Sequence, residues 1–169
     1  DLTHLKEIHI VAVRNEVKEV LYLLQKGYDG AVCYKTINLG QNQDETFDFT
    51  LKEETNTVSQ FELPETYLYE PNRAILKSGA FKSVGNAYGL KKLHEHTHLY
   101  TANEWIDFPG RRFLILSQEP FKPKVLKKKL SKTKANVIAK NFTWTVAQIR
   151  KRLGILDGGE TYLFFTKTM

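Results

Sequence analysis

The first part of the chain carries the apolar and polar pattern of strands. Residues 7–13 are rich in β-formers, and Arg14, Asn15 and Glu16 suit a turn. Residues 17–24 fit two periods. Val17, Val20, Leu21 and Leu24 follow helical spacing, whereas Glu19, Leu21 and Leu23 share one face of a strand. Directly after a turn, a hairpin partner is the preferred reading. Gly27-Tyr28-Asp29-Gly30 breaks the pattern, and residues 31–39 read as another strand. A polar loop over 40–45 follows, and then 46–51 alternates strictly, as a half-buried strand does.

Residues 53–65 are polar and end in Leu63-Pro64, so a domain boundary is expected between 62 and 63. Beyond it the period changes to that of a helix. Asn72 is its cap, Ile75, Leu76, Ala80, Val84 and Tyr88 its apolar stripe, and Gly89 its end. Gly79 falls inside the stripe, where close packing is the expected reason for it. The pattern then predicts a strand around 98–101, a turn over 107–110 and a strand over 112–118. Next come a basic helix over 124–130 behind Pro123 and a strand over 135–140. Thr145 and Gln148 have capping-box spacing for a helix that stops at Gly154, and 161–166 is a last strand. The fold class is α/β with α+β mixing, and the second domain, 63–169, follows the order α-β-β-α-β-α-β.

Composition sharpens this division. With 169 residues, 41% of them hydrophobic, the chain can bury the core of one domain, or of one domain plus a piece of another. No stretch approaches the roughly 18 to 20 apolar residues of a membrane span, and no membrane partner is expected. The start lacks the basic and apolar pattern of a signal peptide, and a single cysteine, Cys33, excludes an internal disulfide. A cytoplasmic setting follows as the simple expectation. The net charge of +6 conceals a contrast: residues 1–62 hold 6 Lys+Arg against 11 Asp+Glu, and 63–169 hold 19 against 8. Such a basic second part points to nucleic acid.

Candidate chemistry begins with KKLHEHTHLY at 91–100, which places His94, His96 and His98 at every second residue. On one strand they would share a face and could hold zinc. The segment follows the helix stop at Gly89, however, so part of it reads as a connector; ordinary surface or partly buried histidines are the leading reading, and phosphate or base contact is the role to test for His94 and His98. Seven lysines from Lys122 to Lys134 form a second feature, interleaved with Phe142, Trp144, Tyr100 and Trp105 further along or before. Cations for phosphates with flat rings for bases are the ingredients of RNA binding, although such a run is also what a solvated helix face looks like. Cys33 reads as a core thiol, and no glycine-rich nucleotide motif is present.

A family resemblance adds to this. YLYEPNRAILKSGAF at 67–81, GLKKLHEHTHLYT at 89–101, DFPGR at 107–111 and KANVIAKNFTWTVAQIRKRLGILDGGETYLFFT at 134–166 together resemble the C-terminal THUMP-like domain of bacterial class I S-adenosylmethionine-dependent methyltransferases, in their Bacteroidetes versions. EIHIVAVRNEVKEVLYLL at 7–24 is similar to the last strands of the Rossmann-like catalytic domain that precedes it in that family. The resemblance implies that 1–62 is the end of a catalytic domain and 63–169 the THUMP-like domain. It implies S-adenosylmethionine as the parent protein's cofactor, held by a glycine-rich loop upstream, so that no catalytic, cofactor or metal residue is assigned in this chain. It also implies RNA, as tRNA or rRNA, for a partner, and the N-terminal catalytic domain as a partner in cis. The expected RNA-binding residues are Lys91, Lys92, His94, His98, Tyr100, Arg111, Arg112, Lys124, Lys127, Lys128, Lys140, Arg150 and Lys151. Strands cut from a larger sheet leave an open edge, expected to be covered by self-association or by the second domain. The alternative function is an interaction or dimerisation module without nucleic-acid binding.

Overall fold

The computed structural model describes residues 2–169. Its first unit is a four-stranded mixed sheet. β1 (Leu5–Val13) and β2 (Glu16–Leu24) form the expected antiparallel hairpin, β3 (Cys33–Leu39) lies parallel to β1, and β4 (Glu45–Thr50) returns antiparallel to β3. The order across the sheet is β2-β1-β3-β4. A helix absent from the sequence reading follows at once: α1 (Leu51–Asn56) opens on a capping box in which Thr50 and Glu53 satisfy each other's backbone N–H.

The second unit is an antiparallel sheet of order β6-β7-β5-β8, built from β5 (Tyr67–Pro71), β6 (Lys91–His94), β7 (Thr97–Ala102) and β8 (Gly110–Leu114). Two expectations are corrected here. Residues 67–71 form a strand where none was expected, and the single helix over 72–89 is two short ones, α2 (Arg73–Ser78) and α3 (Ser83–Ala87). Gly79 divides them as the left-handed cap of α2, with φ 84° and open space where a Cβ would stand, so conformation rather than close packing explains it. The histidine segment is a hairpin, β6 to β7, turning at Glu95 and His96. The last unit is a two-stranded parallel sheet, β9 (Asn136–Lys140) with β10 (Tyr162–Thr166), with the expected helices α4 (Pro123–Leu130) before β9 and α5 (Val146–Leu153) between the two strands. The observed order from β5 onward is therefore β-α-α-β-β-β-α-β-α-β, and the whole is a mixed α/β fold.

Each junction between units is a specific contact. α2 presses Ala74 against Ile10 and Ala12 on the inner face of the first sheet. Asn72 caps α2 by accepting from the Ile75 N–H at 3.0 Å, and its amide donates to Glu45 at 2.9 Å. Glu54 of α1 is buried and accepts from the N–H groups of Phe81, Lys82 and Ser83 and from the Ser83 hydroxyl at 2.7 Å. A carboxylate with that many donors fixes α1 to the start of α3 far more firmly than an exposed ion pair would. Above these contacts sits the main core of Phe49, Tyr69, Ile75, Val84, Leu90, Tyr100 and Phe108. Burying a large apolar side chain contributes about 1.5–3 kcal/mol, so this cluster, shared by the first two units, welds them together. The expected cover for the sheet edge is not provided this way: the second unit packs on a face of the first sheet and leaves the β2 edge open.

Candidate nucleic-acid interface

Burial removes some of the expected contacts at once. Tyr100 is fully buried and donates to the Phe81 carbonyl at 2.6 Å, and burial drives its phenol far above its usual pKa. It cannot stack on a base. Lys92 pairs with Tyr100 across the hairpin, is 4% exposed, and gives its ammonium to the Glu95 carbonyl at 2.8 Å. Burial lowers its pKa. His98 lies flat on Phe81, ring centroids 3.7 Å apart, with Nδ1 buried and unpartnered. Burial, reinforced by the charges of Lys92 and Lys140, lowers its pKa to about 4, so it is neutral at physiological pH and offers no charge to a phosphate. His94 Nδ1 accepts from the His96 N–H at 3.0 Å and stands 3.3 Å from the Asn141 amide. The three histidines fall on a strand end, a turn and the next strand, and among the described residues no group of three or more His, Cys, Asp or Glu could hold a metal.

Ion pairs occupy a second set. Lys91 binds Glu65 at 2.9 Å, a contact that raises its pKa. Arg112 binds Asp107 at 2.8 Å and lies over the Trp105 ring at 5.0 Å. Arg150 reaches the Ala135 carbonyl at 3.0 Å and Asp157 at 2.5 Å, holding α5 to the strand beside it. Arg111 and Lys140 converge on one buried carboxylate, Glu70, with Lys140 at 2.7 Å and Arg111 donating from both Nε and Nη2. Burial would raise the Glu70 pKa, but the hydrogen bonds and charges of Lys140 and Arg111 outweigh it and the carboxyl lies below its ordinary value. Because Glu70 is on β5 and Lys140 on β9, this pair clamps the last unit to the antiparallel sheet. The Asn141 amide and Lys167 carbonyl on Thr97, and the Met169 N–H on Leu93, extend the same seam.

Four expected residues are left exposed and in no ion pair among the described residues: Lys124, Lys127 and Lys128 on α4 and Lys151 on α5. α4 and α5, the helices that carry them, pack against each other. α4 and α5 bury Leu126, Ile149 and Leu153 against Val137 and Phe165, which leaves their opposite faces in water. α4 precedes β9 and α5 lies between β9 and β10. Their last turns carry Lys127, Lys128, Lys151 and Arg152, where the helix dipole favours cations.

The sequence reading left two members of this face out of its site. Arg152 lies over the Trp144 ring at 4.3 Å, and Phe121 meets Trp144 and Phe142 edge-on at 4.9 and 4.8 Å. Trp144 immediately precedes the Thr145 cap, and the eight-residue step from Trp144 to Arg152 is about two helical turns, which was the available signal. Phe121 gave none, since its partners are more than twenty residues away.

Comparison with known proteins follows the same lines. The model of a ferredoxin-like domain matches residues 67–109, and that of a THUMP domain-like unit matches 110–169. They meet at Pro109 and Gly110, inside the stretch read from sequence as one domain, yet the hydrogen bonding runs across the join because β8 pairs with β5. None of the curated proteins compared matches the chain. A solved structure from Porphyromonas gingivalis W83, named as a candidate methyltransferase, superposes with a TM-score of 0.92 and 35% identity over 99% of this chain. The chain spans only 44% of that protein. Residues 110–169 thus match a THUMP-like domain and 67–109 a ferredoxin-like one, and the chain resembles part of a candidate methyltransferase.

Proposed function

We propose that this chain is the substrate-binding part of an S-adenosylmethionine-dependent RNA methyltransferase, and that the α4–α5 face is where it grips RNA. The observation that supports this most is that Lys124, Lys127, Lys128, Lys151 and Arg152 are exposed and in no ion pair among the described residues on two helices that pack together, with Arg152 over the Trp144 ring. Phosphates along a backbone need mobile, unpaired cations, and these lysines are exposed and in no ion pair among the described residues.

Residues 1–62 are, on this proposal, the terminal strands of the catalytic domain. They do not fit the methyl donor. The polar groups at the C-terminal ends of β1 and β3 are already bonded among themselves: Asn38 accepts from the Asn15 N–H at 2.8 Å and donates to Glu45 at 3.0 Å. We therefore assign the cofactor and the chemistry to residues outside this chain, and the setting to the cytoplasm. No helix among the described residues is long and apolar enough to cross a membrane. The test is a titration with tRNA and rRNA fragments at two salt concentrations. Binding should weaken steeply as salt rises, and absence of binding even at low salt overturns the proposal.

A further inference from the structure

A small polar cavity lies between α3 and β6. Residues 58–60 run alongside β6: the Lys92 N–H donates to the Gln60 carbonyl at 2.8 Å, and the Glu62 N–H to the Lys92 carbonyl at 3.0 Å. The end of α3 forms the other wall, where the Leu90 N–H returns to the Gly85 carbonyl at 2.8 Å. The space left between them is about 60 Å³ and is bordered by Lys82, Lys92, Ser59, Gln60 and Asn86, with Val58 and Leu90 as its large apolar side chains. Each lysine ammonium holds a backbone carbonyl and no carboxylate among the described residues: Lys82 that of Thr55 at 3.2 Å, Lys92 that of Glu95 at 2.8 Å. An ammonium has three N–H donors, so both keep donors unspent. Lys82 is partly exposed, and water can take them. Lys92 is 4% exposed, and a charge buried with unspent donors is costly unless something pairs with it. The carboxylates that act on Lys92 are Glu54 and Glu95, while Lys82 repels it. Neither carboxylate borders the cavity, and Glu54 already accepts from the N–H groups of Phe81, Lys82 and Ser83.

Size and lining select the ligand. A single water needs about 10–15 Å³, so 60 Å³ admits a group of about four or five heavy atoms. Ligands the size of a nucleoside or a cofactor occupy pockets of about 300–1,000 Å³ and are excluded. An apolar group would leave the Lys92 ammonium as poorly paired as before. A compact anion remains. A carboxylate is planar, with its two oxygens on one side, whereas a phosphate group spreads its oxygens tetrahedrally. The second shape suits donors that come from opposite walls, Lys82 and Asn86 from the α3 side and Ser59, Gln60 and Lys92 from the β6 side.

We propose that the cavity between α3 and β6 binds a single phosphate group, free or at the end of an RNA, with Lys82 and Lys92 as its cations. The site shares no residue with the α4–α5 face and does not rest on the RNA reading. Its test is the melting of the 169-residue chain at neutral pH and constant ionic strength, titrated with inorganic phosphate, with acetate, and with a trinucleotide with and without a 5′-phosphate. Inorganic phosphate should raise the melting temperature saturably, by about 3–6 °C at ten times its dissociation constant, and acetate by less than about 1 °C. A 5′-phosphorylated trinucleotide that saturates below inorganic phosphate, and well below its unphosphorylated form, identifies an RNA end as the source; the reverse order identifies a free phosphate. Lys92→Met keeps the buried stem, removes the ammonium and should abolish the response. Lys82→Gln, at a partly exposed position, should fold as wild type does and weaken phosphate binding at least about tenfold. A response to phosphate no larger than that to acetate, or one unchanged in Lys82→Gln, overturns the site. Absence of tRNA binding beside an intact phosphate response overturns the RNA reading alone.

Discussion

Replacing Glu70 by glutamine keeps the shape of the side chain and removes the charge that two cations share. Glu70 is 5% exposed, whereas the side chains of Arg111 and Lys140 are 42% and 21% exposed. A hydrogen bond to a charged group contributes about 1.5–3 kcal/mol net when buried. With glutamine present, the cations can turn partly to water, so the loss is that of a discounted pair of bonds, about 2–3 kcal/mol. For a chain of this length that lowers the melting temperature by about 4–12 °C. Circular dichroism at neutral pH measures it. The sign with pH is fixed by the direction of the shift: the Glu70 pKa is depressed in the folded state, so its stabilisation is present above the ordinary carboxylate range and is lost as pH falls through the lowered value. The gap between wild type and Glu70→Gln should therefore close in acid. A variant within about 0.5 kcal/mol of wild type at neutral pH would refute the clamp and return Arg111 and Lys140 to the pool of available RNA contacts.

Two further outcomes follow from local geometry. His98 is held neutral with its folded pKa near 4, below the ordinary value, so stability should fall as pH drops from about 6.5 toward 4; His98→Phe, which removes an unpartnered Nδ1, should flatten that part of the profile in urea unfolding at pH 7 and 5. Gly110 has φ 153°, and a Cβ there would lie 2.2 Å from the Glu70 carbonyl oxygen, so Gly110→Ala should destabilise the β5–β8 pairing by at least about 2 kcal/mol, read as a lower urea midpoint.

The first sheet was legible in sequence because local patterns decide it. The turn at Arg14 and Asn15, both at positive φ, and the strict alternation of 46–51 carry their own geometry. The capping box at Thr145 was legible for the same reason. β5 was not. Leu68, Tyr69, Glu70 and Pro71 are all buried, so no alternation marks the strand, and a buried glutamate beside a proline argues against one. Gly79 misled because a left-handed cap and a packing glycine look alike in sequence. The candidate site was half legible. Which lysines are numerous is a local fact, but which are engaged depends on partners such as Glu70 and Lys140, seventy positions apart and joined only by the fold. Tyr100 and Lys92 were misjudged for that reason: the hairpin turns them inward, onto Phe81 and the Glu95 carbonyl.

The central claim is that the helical face, and not the clamped cations, meets RNA. The decisive measurement is the salt dependence of tRNA binding for wild type, Lys124→Gln/Lys128→Gln/Lys151→Gln and Glu70→Gln. Each lost phosphate contact should reduce the log–log slope by about 0.7–0.9, so the triple variant should lose about 2–3 units of slope and bind far more weakly, while Glu70→Gln keeps the full slope. An unchanged slope in the triple variant would contradict the account.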